Sequence, residues 1–227
     1  MTHLEYKEIE AFMLKQMQDS AHDKYHIFRV LHSALDMSSF ETTVDMDVLI
    51  AACLLHDIGR EKQAADPNLS HAQIGGDMAY EYLISRKWDE SKAVHVKECV
   101  AAHRYRDDNP PSSIESKILF DADKLDSSGA LGIARTLIYG GQICEPLYLL
   151  DEDGNIIVDG GGAELSTFVQ EYNYKLKNLY DAFYTQRAKE IAADRQKTAV
   201  DFYNSLVEEI SGNSKNGLDR LSEALVE

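Results

Sequence analysis

The sequence predicts an all-α protein, and three observations lead to that prediction. Apolar residues recur at three- and four-residue steps along most of the 227-residue chain, the period of an amphipathic helix. The four prolines and 13 glycines leave room for long uninterrupted helices. The helical residue pattern is interrupted between Gly140 and Gly162, where acidic and glycine-rich stretches flank an Ile-Ile-Val run. That change predicts a short β-hairpin near residues 148–160.

The first three predicted helices follow from apolar stripes and capping residues. One runs from residue 5 to about residue 17, and Asp19–Asp23 then supplies N-cap candidates for a second. Asp45 begins a third helix that is apolar on almost every side through Leu55, which predicts a position at the centre of a bundle. This helix ends at His56–Gly59, where Gly59 suits a left-handed C-terminal conformation.

The rest of the chain continues the helical pattern. Further helices are predicted over about 71–85, 89–103, 114–122 and 131–138, with a proline-containing break at 104–111. Aromatic and aliphatic residues at helical spacing predict a helical tail from about 166 to 210. No internal repeat or shift in composition divides the chain, so one domain over 1–227 is expected.

Composition and charge exclude several classes of protein. The chain has 39 acidic and 23 basic residues, a net charge of −16, which disfavours binding to a nucleic-acid polymer. An acidic protein that handles phosphate is expected to use a metal ion. The longest apolar run has eight residues, far below the roughly 20 that span a bilayer. With no apolar signal segment at the N-terminus and no CxxC pair among the three cysteines, we expect a cytoplasmic protein without membrane attachment.

Four positions carry the chemistry that the sequence suggests: His26, the adjacent pair His56 and Asp57, and Asp123. Two imidazoles and two carboxylates form a ligand set suited to Mn²⁺, Fe²⁺, Ni²⁺ or Zn²⁺. An ionisable pair directly after so apolar a run is costly to bury unless it is paired or bound to metal. The alternative for an isolated His-Asp pair is a satisfied core histidine beside a helix-terminal aspartate.

Three segments resemble bacterial HD-domain phosphohydrolases. Residues 20–30 resemble the HDxxHxxRV signature, residues 51–59 resemble the central A-x-L-L-H-D-I-G motif, and residues 121–135 are similar to the DADxLDxxGxxGxxR block. The motifs occur in the expected order with compatible separations. The resemblance implies an HD-domain helical bundle, with a metal-binding core over about 19–136 and C-terminal helices over about 164–211 packed on it.

The resemblance also implies roles for individual residues. His26, His56, Asp57 and Asp123 would be the metal ligands, for Mn²⁺ in preference to Ni²⁺, Fe²⁺, Mg²⁺, Zn²⁺ or Co²⁺. A single ion is favoured because the sequence shows no extra carboxylate cluster near His71 or His103. These two histidines would then contact phosphate or act as general acid beside Asp57, whereas in two-metal relatives they bind a second ion. The basic residues within the motifs are the candidates for substrate binding: Lys24, Arg29, Lys62 and Lys124.

Two alternatives concern Arg29. It lies one helical turn after His26 and could reach a phosphate oxygen, or it could form a salt bridge to Asp23 or Asp126. Asp126 itself is a candidate to orient a ligand histidine.

The activity implied by the resemblance is hydrolysis of a small phosphorylated metabolite. The favoured substrate is a nucleoside or deoxynucleoside triphosphate, split into monophosphate and pyrophosphate. Phosphomonoesterases and cyclic-nucleotide phosphodiesterases share the metal core, although the GYP triplet of the cyclic-dinucleotide branch is absent. A nucleotide-binding regulatory module without turnover and a purely structural bundle are the rivals from other classes. A homodimer is one candidate assembly, with the segment from Gly140 to Gly162 serving either substrate access or a subunit contact.

Overall fold

The computed structural model describes residues 1–16, 24–104, 109–160 and 166–225, and within these ranges it is helical and contains no named strand. The all-α prediction is therefore confirmed. The capping residues expected at 19–23 and part of the 104–111 break lie outside the described residues. The helices are α1 (His3–Gln16), α2 (Lys24–Ser38), α3 (Met46–Leu55), α4 (Arg60–Ala65), α5 (His71–Ser85), α6 (Glu90–Ala101), α7 (Ile114–Asp126), α8 (Gly129–Gln142), α9 (Phe168–Tyr174), a 3-10 helix (Leu176–Asp181) and α10 (Gln186–Ala224).

The chain forms two compact units. The first contains Met1–Asp126 and Phe183–Lys189, and the second contains Ser127–Ala182 and Glu190–Glu227. The expectation of one domain over the whole chain stays a prediction. Within the described ranges, no helix combines the length and the apolarity needed to cross a bilayer.

Helix α3 is the centre of the first unit, as its composition predicts. Seven of its ten residues are buried, and it packs against α1, α2, α6 and α7. The Asp45 side chain accepts hydrogen bonds from the backbone N–H groups of Asp47 and Val48, which confirms the predicted N-cap. His56 and Asp57, which follow the end of α3, are therefore buried within the first unit.

The prediction for Gly59 is wrong. Its φ of −84° is right-handed, and the residue precedes α4 instead of closing α3 with a left-handed cap. Glycine is needed here for space. A Cβ atom at this position would lie 2.2 Å from the carbonyl oxygen of His71 and 2.8 Å from the backbone nitrogen of Gly75. The absence of a side chain therefore lets α5 lie directly against the turn after α3.

The helical tail predicted over 166–210 is interrupted. Helix α9 is followed by the 3-10 helix. A non-helical segment then precedes α10, which extends to Ala224. The buried carboxylate of Asp121 accounts for this non-helical segment. Its Oδ1 accepts the N–H of Tyr184 at 2.9 Å, while its Oδ2 accepts the N–H and the hydroxyl of Thr185 at 2.7 and 2.8 Å. Because these backbone N–H groups donate to Asp121 on α7, they do not donate to the carbonyl groups of a preceding helical turn.

Replacing Asp121 with Ala should destabilise the first unit by about 2–4 kcal/mol, because buried N–H donors lose a charged acceptor. Chemical denaturation monitored by circular dichroism measures the change. The matched control is Asp36→Ala, since Asp36 holds the same segment through an exposed ion pair with Arg187, Nε to Oδ2 at 2.8 Å. That control should cost less than about 1 kcal/mol, and equal costs for both variants would contradict the anchoring role of Asp121.

The second unit has its own aromatic core. Phe168, Tyr172 and Leu176 pack with Ile133 and Ala199, and the ring of Tyr172 stacks on that of Tyr203 with 4.1 Å between centroids. The hairpin expected near 148–160 is reduced to one antiparallel bridge, between Leu150 and Ile156.

Candidate functional site

His26 lies in the first turn of α2 and is fixed by the last residue of α7. Its Nδ1 is 2.7 Å from Oδ2 of Asp126, the contact that the sequence predicts for this aspartate. Arg29, one turn further along α2, donates from Nε to Oδ1 and from Nη2 to Oδ2 of the same carboxylate, at 2.7 and 3.0 Å. The Asp126 carboxylate therefore sets the ring orientation of His26 and directs Nε2 towards the interior.

His56 and Asp123 meet His26 at that Nε2 atom. The His56 ring, at the C-terminus of α3, donates from Nδ1 to the carbonyl oxygen of Cys53 at 2.8 Å. Its Nε2 lies 3.3 Å from Nε2 of His26. Asp123 Oδ1 lies 3.3 Å from His26 Nε2 and 3.8 Å from His56 Nε2. One ligand atom from each of the three residues falls within 4.8 Å of the others, and we call this set the first trio.

A second set has the same construction. His71 begins α5 and its Nδ1 lies 2.6 Å from Oε1 of Gln63, while His103, in the turn after α6, donates from Nδ1 to the carbonyl oxygen of Val100 at 2.6 Å. Their Nε2 atoms are 3.3 Å apart. With Asp57 they form the second trio, whose ligand atoms also lie within 4.8 Å of one another.

Asp57, a member of the second trio, also faces the two histidines of the first. Its Oδ2 is 3.5 and 3.6 Å from Nε2 of His26 and His56, and its Oδ1 is 3.5 Å from Nε2 of both His71 and His103. Both oxygens are buried without a hydrogen-bond partner, a costly arrangement for a carboxylate. One residue at the end of α3 thus faces four imidazoles.

The donor chemistry fits a divalent cation. Backbone carbonyls can only accept hydrogen bonds, so Nδ1 of His56 and of His103 must carry the proton and Nε2 must present a lone pair. The Nε2 lone pairs of His56 and His103 each face a second imidazole Nε2 at 3.3 Å, beside a carboxylate whose oxygens make no hydrogen bond, and a cation among these atoms would bind them. Ligands about 2.1 Å from a common centre at tetrahedral angles lie about 3.4 Å apart, close to the measured separations. The expected ligands His26, His56, Asp57 and Asp123 are therefore brought together in an arrangement that could hold a metal.

The pKa shifts of the site histidines also favour a bound cation. Burial lowers the pKa of His26, but the nearby carboxylates of Asp123, Asp126 and Asp57 outweigh it and raise the pKa to about 11, so a positive charge is favoured at this point of the site. Burial lowers the pKa of His56 to about 4. Burial and the nearby Arg60 lower the pKa of His71 to about 3. His56 and His71 are thus held neutral, which is the form that binds metal.

The reason given for a single ion is wrong in one respect. His71 and His103 do have a carboxylate beside them, because Asp57 turns its second oxygen towards both rings. Sequence alone hides this contact, since the residue already counts as a ligand of the other set. The structure brings all three candidate catalytic residues, Asp57, His71 and His103, into contact distance.

The four candidate substrate-binding cations are distributed differently. Arg29 is engaged with Asp126. Lys124 directs its ammonium over the rings of Phe120 and Phe183, 5.2 and 5.5 Å from the centroids. Lys24 is exposed beside the Tyr25 ring, and Lys62 is exposed on α4. The structure therefore does not bring these four together at the trios.

Two residues of the site are not among those predicted from the sequence. Gln63 fixes the ring of His71, and Arg60 places Nε 2.7 Å from Oδ2 of Asp57. Both lie in α4, a short helix that is not among the predicted ones. The three-residue spacing from Asp57 to Arg60 was the available signal, because such a pair shares one side of a helical turn.

Residues 24–128 match the family model described as HD domain. This part of the chain is similar to HD domains. Every member of both trios, together with Asp126 and Arg60, lies within the matched residues. The resemblance of the three sequence motifs to this family is thus confirmed.

Known proteins share this fold over most of their length. The chain is 29% identical to the uncharacterized protein YpgQ of Bacillus subtilis over 199 residues, 86% of this chain and 87% of YpgQ. A crystal structure of YpgQ in complex with ADP has a TM-score of 0.69 at 26% identity, covering 90% of this chain and 97% of that one. An HD-superfamily hydrolase from Bacillus thuringiensis has a TM-score of 0.67 at 28% identity, covering 90% and 96%.

Proposed function

We propose that the chain is a metal-dependent phosphohydrolase that splits a nucleoside or deoxynucleoside triphosphate into monophosphate and pyrophosphate. One observation carries the proposal: the buried Asp57 carboxylate, without a hydrogen bond, faces four imidazole Nε2 atoms at 3.5–3.6 Å. Such a set suits a divalent cation, with Mn²⁺ preferred and Ni²⁺, Fe²⁺, Mg²⁺, Zn²⁺ or Co²⁺ as alternatives.

Each residue has a part that follows from its contacts. His26, His56, Asp57 and Asp123 would hold the ion, which when bound polarises a phosphoryl oxygen and lowers the pKa of water. Asp126 keeps the His26 ring oriented, while the Cys53 carbonyl does the same for His56. His71 and His103 present Nε2 atoms beside the same carboxylate, where they can contact a phosphate oxygen or exchange a proton with the leaving group. Of the four candidate cations, Lys24 and Lys62 keep exposed side chains that could meet the substrate.

The nucleotide part of the proposal is supported by a relative. YpgQ has been crystallised with ADP, and the matched residues cover 90% of this chain. The net charge of −16 remains unfavourable for a nucleic-acid polymer, so a small nucleotide is the better substrate. We also keep the cytoplasm as the proposed compartment, since triphosphate substrates occur there.

A substrate panel tests this function. Chelator-treated protein is supplied with Mn²⁺ and incubated with deoxynucleoside triphosphates, nucleoside monophosphates and cyclic nucleotides, and products are resolved by ion-exchange chromatography. We expect monophosphate and pyrophosphate from triphosphates. Orthophosphate release from monophosphates would instead indicate a phosphomonoesterase, and opening of a cyclic ester would indicate a phosphodiesterase. Binding of nucleotide without any product would favour the regulatory module.

A further inference from the structure

Arg60 is a half-buried cation beside the candidate metal ligands, and nothing above gives it a role. It is the first residue of α4, and its Nε atom lies 2.7 Å from Oδ2 of Asp57. That Nε atom is buried, whereas the side chain as a whole keeps 28% of its surface exposed. The Arg60 side chain therefore extends from solvent to the Asp57 carboxylate, which faces the histidines of both trios.

The Arg60 guanidinium has more donor capacity than the protein uses. An arginine carries five side-chain N–H donors in a planar fork, yet within the described ranges the Arg60 guanidinium makes no hydrogen bond to a protein group. Its contact with Asp57 is close but misaligned, since neither Nε nor Oδ2 has a hydrogen-bond partner. A buried donor left without an acceptor loses its hydration without compensation. The arrangement is therefore unfavourable for a purely structural arginine.

Arg29 shows what a structural arginine looks like in the same site. Its fork meets the Asp126 carboxylate through two aligned hydrogen bonds, at 2.7 and 3.0 Å. Arg29 thus compensates the charge of Asp126 and fixes His26 through it. Arg60 contacts Asp57 instead of Asp126 and lacks this two-bond geometry, so the two arginines have different tasks.

We propose that Arg60 binds a phosphate group of the substrate, at the edge of the site next to Asp57. The proposal rests on the function proposed above and extends it by naming a phosphate-binding residue. The carboxylates of Asp57 and Asp123 repel a phosphate group that comes near the His26–His56–Asp123 cluster. A guanidinium against Asp57 offsets that repulsion and offers the planar donor pair that phosphate oxygens accept.

ADP affinity of the Mn²⁺-loaded protein, measured by isothermal titration calorimetry, tests the role of Arg60. Removing charge-assisted hydrogen bonds in Arg60→Gln should weaken ADP binding about 10- to 100-fold. Arg60→Lys should recover part of that loss, because lysine keeps the charge but not the fork. The matched control is Arg86→Gln, since Arg86 forms an exposed ion pair with Glu8, and its ADP affinity should equal that of the wild type.

Metal content separates a phosphate ligand from a structural residue. Arg60→Gln should retain at least the Mn²⁺ content and the melting temperature of the wild type, because the substitution removes a cation from beside Asp57. Weak ADP binding accompanied by loss of Mn²⁺ or of folding in both Arg60 variants would overturn the proposal, as would unchanged affinity. If the wild type binds ADP but hydrolyses no nucleotide, the proposed function fails while the effect on ADP still decides the role of Arg60. Orthophosphate serves as a second probe, and a wild type that binds neither anion would also overturn it.

Discussion

Asp57→Asn should abolish metal binding and reduce hydrolysis by about 1,000-fold. Asp57 supplies one oxygen to His26 and His56 and the other to His71 and His103, so an amide disturbs both trios at once. Loss of the charge stabilisation that a bound cation gives the transition state is worth several kcal/mol, and about 4 kcal/mol corresponds to this factor. Bound Mn²⁺ is measured by elemental analysis after gel filtration, and turnover is measured on the best substrate of the panel.

The control for this substitution is Glu61→Gln, the same change of charge at an exposed residue four positions further on. It should keep both the metal and the activity. A circular dichroism spectrum like that of the wild type shows that Asp57→Asn remains folded. Retention of stoichiometric Mn²⁺ by folded Asp57→Asn would contradict the assignment of the ligands.

Gly59→Ala should destabilise the first unit by about 3 kcal/mol or more and weaken Mn²⁺ binding. The added Cβ atom would lie 2.2 Å from the carbonyl oxygen of His71 and 2.8 Å from the nitrogen of Gly75, and neither backbone atom can move alone. Relief of the overlap requires α5 to shift, and overpacking of this kind costs more than a flexible side chain would. Because α5 begins with His71, the second trio shifts with it. Chemical denaturation and Mn²⁺ titration measure the two effects.

Gly75→Ala is the matched control for Gly59→Ala, because the same two segments meet there from the other side. A Cβ atom at Gly75 would lie 3.4–3.5 Å from its nearest neighbours, an ordinary contact. This variant should change stability by less than about 1 kcal/mol, since alanine also favours the helix. Similar losses in the two variants would show that the close approach at Gly59 is not what constrains α5.

The parts of the fold that depend on local pattern could be predicted, and the exceptions depend on distant contacts. Helix α3 has a continuous apolar surface, so its central position follows from the sequence. The break before α10 does not, because it is made by Asp121 bonding to residues 63 and 64 positions away. The prediction of a left-handed Gly59 is wrong for a related reason. The sequence marks a glycine, but only the neighbouring helix shows that its role is to leave space.

The site divides in the same way. The motifs point to His26, His56, Asp57 and Asp123, and the fold brings them together. The shared role of Asp57 could not be deduced, since it depends on how two carboxylate oxygens face rings on α5 and after α6. Arg29 and Lys124 carry the right charge within the motifs, yet one faces Asp126 and the other faces aromatic rings. Charge within a motif therefore predicts substrate contact poorly, because helix geometry decides which partner each cation meets.

The central claim is that the cluster around Asp57 is a cation site that serves hydrolysis. Its most direct test is a titration of chelator-treated protein with Mn²⁺, in which free Mn²⁺ is followed by electron paramagnetic resonance while triphosphate hydrolysis is measured in the same samples. We expect the rate to rise in proportion to bound Mn²⁺ and to level off when the site is filled, at one ion per chain or at two if His71 and His103 bind a second. Protein that binds no Mn²⁺, or a rate that does not depend on the bound ion, would contradict the claim.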